Sequence, residues 1–123
     1  PVFELSYKND ALGDPLINDD HAVALELVTE AELAQIKDLT ARINRALQDL
    51  FLAANLILVD FKIEFGKTSD GKIILADEIS PDTCRLWDKD TRDKLDKDRF
   101  RRDLGDVMAA YKEVLGRLEN ARN

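Results

Sequence analysis

The chain has 123 residues, 18 Lys plus Arg against 25 Asp plus Glu, and so a net charge of −7. That length predicts one domain over residues 1–123 with a real core, and the acidic balance argues against nucleic acid as a partner, because duplex binding leans on Lys and Arg. No apolar run approaches the ~20 residues of a membrane span and no leader peptide pattern opens the chain, so the expectation is a cytoplasmic protein with no membrane partner.

Residues 1–7 read as extended, because Val2, Phe3, Leu5 and Tyr7 are strand formers. Pro1 stands where a Met is usual, which fits either a trimmed initiator or a piece of a longer chain. Asn9, Asp10, Gly13, Asp14 and Pro15 predict a loop. A long helix over about 30–54 follows, opened by a capping box of Thr29 and Glu32. Its apolar stripe is Leu33, Ile36, Leu39, Ile43, Leu47, Leu50 and Ala54.

A β-hairpin comes next. Residues 56–65 form its first strand and 72–79 its second, joined by Thr68-Ser69-Asp70-Gly71. Ser80-Pro81-Asp82 ends the second strand, and 88–95 reads as a helical turn or loop. The last element is a helix over about 97–118, capped by Asp96 or Asp98. Phe100, Leu104, Val107, Met108, Tyr111, Leu115 and Leu118 line one face. The fold class is α+β: an antiparallel sheet with a hairpin packed against two long helices.

The chemistry is narrow. Cys84 is the lone cysteine and His21 the lone histidine, which excludes a disulfide framework, a multi-cysteine zinc site and any site needing two histidines. Carboxylate, guanidinium and ammonium groups remain, a set that suits magnesium and anionic ligands. Cys84 reads as a bystander, His21 as structural or incidental and Trp87 as a core anchor. Strand alternation puts Val59, Phe61, Ile63 and Phe65 on one face and Asp60, Lys62 and Glu64 on the other. A half-solvated sheet gives the same pattern; two carboxylates flanking an ammonium also suit a metal and a polyanion. Asp77-Glu78 ends the apolar run Ile73-Ile74-Leu75 abruptly. Pairing Gly66 with Lys72 points Asp77 away from the charged face; pairing Gly66 with Ile73 sets it opposite Lys62, beside Glu64. Arg85 offers a planar fork to a carboxylate or phosphate, or pairs with a nearby acid. Arg99, Arg101 and Arg102 stand at a helix start, against the dipole, which fits an anionic ligand as well as an ion pair with Asp96, Asp98 or Asp103.

Leu58-Val59-Asp60-Phe61-Lys62-Ile63-Glu64-Phe65-Gly66 closely resembles the strand signature of the SAICAR synthetase family of purine biosynthesis. Asp77-Glu78-Ile79-Ser80-Pro81-Asp82-Thr83-Cys84-Arg85-Leu86-Trp87-Asp88, Asp96-Lys97-Asp98-Arg99-Phe100-Arg101 and Tyr7-Lys8-Asn9-Asp10-Ala11-Leu12-Gly13-Asp14-Pro15 resemble its other motifs, in order along the chain. The resemblance implies a reaction joining L-aspartate to the carboxylate of carboxyaminoimidazole ribonucleotide, with ATP becoming ADP and phosphate and Mg2+ as cofactor. It implies Glu64 and Asp77 as metal ligands, which selects the register that sets Asp77 beside Glu64. Lys62 would neutralise phosphate or carboxylate charge, with Asp60 beside it in the catalytic set. Asp60, Asp82 and Arg85 would line the ribonucleotide site, Arg101 would hold its 5′-phosphate and Lys8 would reach the nucleotide.

Members of the family are roughly twice this length, by the ~100 residues of a further domain. The glycine-rich ATP-binding lobe has no counterpart in this sequence, so the chain is expected to be the C-terminal substrate- and metal-binding portion, inactive alone. Loss of that lobe would expose sheet edges and apolar surface and favour homo-oligomers. The alternative is a non-catalytic binding or oligomerisation module that retains the fold; the intact Asp60, Lys62, Glu64, Asp77 and Arg85 set argues against it.

Overall fold

Thr29 and Glu32 start the longest helix as the sequence predicts. In the computed structural model, which describes residues 1–98 and 106–122, Glu32 N–H donates to Thr29 Oγ1 at 3.1 Å and Thr29 N–H to Glu32 Oε1 at 3.0 Å. Two of the donors that a helix start leaves open are thereby satisfied. The chain divides into two compact units, Pro1–Ala41 and Arg42–Asn123.

In the first unit, β1 (Leu5–Ser6) pairs antiparallel with β2 (Leu16–Ile17), Leu5 opposite Ile17. The loop between them holds a short 3-10 turn over Asp10–Leu12, capped by the Asn9 side chain and closed by Gly13 at φ 71°. A short helix, α1 (Asp19–Ala24), follows. His21 is structural, as expected: its Nδ1 accepts the Asn18 N–H at 3.2 Å, while Asn18 Oδ1 accepts the His21 N–H at 2.8 Å. Helix α2 (Glu30–Ala53) runs across the division between the units.

In the second unit, β3 (Leu56–Phe61) pairs antiparallel with β6 (Cys84–Asp88), and β4 (Glu64–Lys67) with β5 (Ile73–Ala76). The last described helix is α3 (Val107–Ala121), capped by Asp106, whose Oδ1 accepts the Ala109 N–H at 3.0 Å. The core joins Leu47, Phe51 and Ala54 of α2 and its end, Leu56 of β3, Cys84 and Leu86 of β6, Leu95, and Ala110 and Val114 of α3. The mixed α and antiparallel β class is as expected, but β3 and β6 form the sheet layer of the core. The β4–β5 hairpin supplies none of these core residues.

Several local expectations change. Residues 56–65 are two strands, because residues 62 and 63 break the ladder. The second hairpin strand stops at Ala76 rather than 79. Residues 84–88, read as chain beyond the hairpin, form a strand that buries Cys84, Leu86 and Asp88. On α2, Phe51 is buried while Leu50 is 43% exposed. Leu47, Phe51 and Ala54 keep the i, i+4, i+7 spacing, so the stripe is shifted, not lost. On α3, Ala110 and Val114 face the core, whereas Met108 and Leu115 are exposed. Trp87 is half-buried on the outer face of β6, where Lys94 Nζ sits 4.7 Å from its ring centre. Of the helix expected over 97–118, the described part is Val107–Ala121, capped by Asp106 rather than by Asp96 or Asp98; Phe100, Leu104 and the arginine group at 99, 101 and 102 lie outside the described residues. No described helix is long and apolar enough to cross a membrane.

The β3–β6 ladder carries one irregularity that positions the candidate site. Leu58 pairs with Leu86 but Asp60 pairs with Arg85, so Val59 is the extra residue of a bulge. A bulge switches the parity of alternation. Leu56 and Leu58 therefore face the core before it, and Phe61 after it. Val59, expected on the same face as Phe61, is 40% exposed instead.

Candidate functional site

The bulge sets Asp60 directly across from Arg85. Arg85 Nη1 donates to Asp60 Oδ2 at 2.7 Å, with both side chains about half open to solvent. The Nε edge of the same guanidinium meets Asp98 Oδ2 at 3.2 Å. The structure thus joins two of the predicted site residues and adds a third group, Asp98, which the sequence suggested as a helix cap or as an ion-pair partner of the arginines at the helix start, not of Arg85. Asp98 and Asp96 are buried, at 4% and 0% exposure. Two carboxylates spaced i, i+2 beside the apolar Leu95 are the sequence signal that marks them. Burial pushes the Asp96 carboxyl above the ordinary carboxylate range, against the pull of the Asp98 and Leu86 N–H groups that it accepts.

Asp82 sits on a tight loop. Ser80 N–H donates to Thr83 Oγ1 at 3.1 Å, Asp82 N–H to Ser80 Oγ at 3.1 Å and Cys84 N–H to Ser80 O at 2.9 Å. Lys62 joins this loop through its backbone, its N–H donating to Thr83 O at 2.9 Å. The Lys62 and Asp82 side chains are both exposed. Thr83, whose hydroxyl also donates to Glu78 O at 3.1 Å, is the staple that sequence reasoning missed. Cys84 behaves as the expected bystander: it is buried, and burial pushes its thiol pKa up, away from the reactive thiolate.

The hairpin register corrects the one that the resemblance selected. Gly66 pairs with Ile74, not with Ile73, so Glu64 lies opposite Ala76 and Asp77 falls past the strand end instead of opposite Lys62. The turn is longer than either alternative allowed: Thr68 N–H donates to Lys72 O at 2.9 Å, with Gly71 at φ 84° inside it. Asp77 has φ 77°, so pleat alternation no longer dictates its side. Its Oδ1 accepts the Glu78 N–H at 2.8 Å. Glu64 and Asp77 still end the same hairpin, because Asp77 directly follows the ladder partner of Glu64.

Among the described residues, no group of three or more His, Cys, Asp or Glu forms a protein-only metal cage. A small hard cation needs less: one or two carboxylates, with waters and phosphate oxygens completing the shell. The all-oxygen pair of Glu64 and Asp77 fits such a shared ion. Lys8 is exposed after β1, in the Pro1–Ala41 unit, while the other described candidates belong to Arg42–Asn123. Arg101 lies outside the described residues.

Comparison with known proteins identifies the family and the fold. The family model for SAICAR synthetase matches residues 1–118. The phosphoribosylaminoimidazole-succinocarboxamide synthase of Finegoldia magna is 65% identical over 118 residues, which are 96% of this chain and 51% of that protein. The crystal structure of the corresponding synthase from Ehrlichia chaffeensis superimposes with a TM-score of 0.93 at 48% identity, covering 97% of this chain and 52% of that one. A SAICAR synthetase solved in complex with ADP gives a TM-score of 0.92 at 51% identity, covering 96% and 50%. The chain spans about half the length of the relatives it matches. With its ordered motifs, its fold and these matches in agreement, the chain belongs to the SAICAR synthetase family.

Proposed function

We propose that this chain is the C-terminal, substrate- and metal-binding half of an ATP-dependent amide-forming ligase. The enzyme joins L-aspartate to the carboxylate of carboxyaminoimidazole ribonucleotide and releases ADP and phosphate. The observation that carries the reading is the Asp60–Arg85 contact at 2.7 Å, which brings two residues of separate motifs onto neighbouring strands.

In the reaction, a carboxylate oxygen of the ribonucleotide takes the γ-phosphoryl group of ATP, giving an acyl phosphate and ADP. The aspartate amine then attacks the acyl carbon, phosphate leaves with the C–O bonding pair, and the amine loses a proton. Such chemistry needs positioning and charge neutralisation rather than a protein nucleophile. Arg85 binds an anionic group of the ribonucleotide, and Asp60 and Asp82 accept hydrogen bonds from its donors. Lys62 offsets the negative charge that gathers where carboxylate and phosphate meet. Arg101 is assigned to the 5′-phosphate and Lys8 to the nucleotide. Glu64 and Asp77 would hold Mg2+, which when bound supplies charge neutralisation for phosphoryl transfer.

The test is an assay of the two-lobe protein that contains this sequence. ADP release and amide formation should both require carboxyaminoimidazole ribonucleotide and L-aspartate, and the 123-residue chain alone should turn over neither. Absence of amide product from the two-lobe protein with all three substrates present would rule the reading out.

A further inference from the structure

Arg85 lies between two carboxylates of different character. Asp60, across the ladder, is 54% exposed at its side chain and takes Nη1. Asp98 is 6% exposed at its side chain and meets Nε. An exposed partner orients a long side chain weakly, because water competes for both ions. A buried carboxylate has lost its water and depends on its cation, so it holds that cation in one geometry.

The backbone beneath Asp98 is itself pinned to β6. Asp96, with no exposure, accepts the Asp98 N–H through Oδ1 at 2.8 Å and the Leu86 N–H through Oδ2 at 2.6 Å. Leu95 N–H donates to Leu86 O at 2.8 Å, and Lys97 N–H to Pro81 O at 3.1 Å. Residues 95–98 are thus laced to the chain on both sides of Arg85. Asp96 and Asp98 are a costly pair to bury, and among the described residues Arg85 is a cation that meets Asp98.

We propose that Asp98 is a positioning residue: it takes the Nε edge of Arg85, fixes the guanidinium plane and presents the exposed part of that group to the anionic ribonucleotide. Asp98 does not itself touch the ligand. This inference rests on the assignment of Arg85 to the ribonucleotide site.

The kinetic test uses Asp98→Ala and Arg85→Lys in the two-lobe protein. Asp98→Ala should raise KM for the ribonucleotide about tenfold or more and leave KM for ATP within about twofold, because only the ribonucleotide depends on that guanidinium. Asp98→Asn, which keeps an oxygen acceptor, should fall between. In the Arg85→Lys background, which lacks the Nε–H, Asp98→Ala should add little. Equal changes in both KM values, or additive effects of the two substitutions, overturn the proposal.

A second measurement needs no variant at Asp98. In 15N relaxation measurements on the wild-type protein, the Arg85 Nε, assigned by its loss in Arg85→Lys, should be more ordered than the Nε of the exposed arginines. A freely moving Arg85 Nε in an active enzyme sinks the positioning role alone. An ordered Nε in a two-lobe protein without amide-forming turnover sinks the ligase reading alone.

Discussion

Asp96 Oδ2 accepts the main-chain N–H of Leu86 at 2.6 Å, from a side chain with no solvent exposure. Its other oxygen takes the Asp98 N–H, so one carboxylate completes the hydrogen bonding of two strands of chain. Asp96→Ala should destabilise the protein by about 2–4 kcal/mol, because two buried donors lose their partner. Asp96→Asn, which keeps one acceptor, should cost about half as much. Urea unfolding reads both values; equal stability of wild type and Asp96→Ala would contradict the account. Since burial raises the Asp96 pKa in the fold, this group's linked contribution falls as pH rises through the carboxylate range.

Asp88 has the opposite sign. Its Oδ1 accepts the Asp90 and Thr91 N–H groups at 2.8 Å each, and its Oδ2 pairs with Arg117 at 2.7 Å. The Thr91 N–H first, then Arg117, hold its carboxyl well below the ordinary value of 3.8. A lowered folded pKa stabilises the fold above the unfolded value and loses that contribution as pH falls through the folded one. The stability gap between wild type and Asp88→Asn should therefore be constant near neutrality and shrink below pH 3.8. A gap that stays constant through acid unfolding would contradict the linkage.

Two glycines should respond oppositely to alanine. Gly71 has φ 84° with nothing within 4 Å of a new Cβ, so Gly71→Ala pays backbone strain alone, about 1 kcal/mol. Gly116 lies inside α3, also with open space and without a positive φ. Gly116→Ala should stabilise by about 0.5–1 kcal/mol through helix propensity. Thermal unfolding of the two variants should move in opposite directions; a shared direction would mean that contacts, not backbone preference, decide.

The acid pair at the hairpin end is tested through metal dependence. Glu64→Gln and Asp77→Asn in the two-lobe enzyme should each raise the Mg2+ concentration for half-maximal rate by about tenfold or more. The double variant should lose little beyond the worse single, because both would act on one ion. A Mg2+ dependence unchanged by either substitution removes these residues from the metal site.

Much of the local structure was legible in the residues. The Thr29–Glu32 capping box and the Thr68–Gly71 turn involve groups within a few positions of one another. Such contacts depend on chain geometry that sequence specifies directly. The candidate site was legible as a set of motifs: Asp60, Lys62, Glu64, Asp77, Asp82 and Arg85 all stand in runs that carry the family resemblance. Their spatial relations were not. Strand β6 escaped notice because Cys84-Arg85-Leu86-Trp87-Asp88 follows a turn and takes its strand character from pairing with β3. Asp98 escaped as the partner of Arg85 because an acid near a helix start reads equally well as a cap or as a partner of the arginines beside it.

The sequence by itself determined the α+β content, the helix start at Thr29, the hairpin turn and the family. Each depends on short-range sterics, periodicity or an ordered motif. Only the tertiary structure decided that Gly66 pairs with Ile74, that Val59 bulges and so sets Asp60 against Arg85, and that α3 buries Ala110 and Val114 rather than Met108 and Leu115. These are choices among nearly equivalent local arrangements. A one-residue slip or a rotation of a helix changes little within a segment, so the partner that each face packs against settles it.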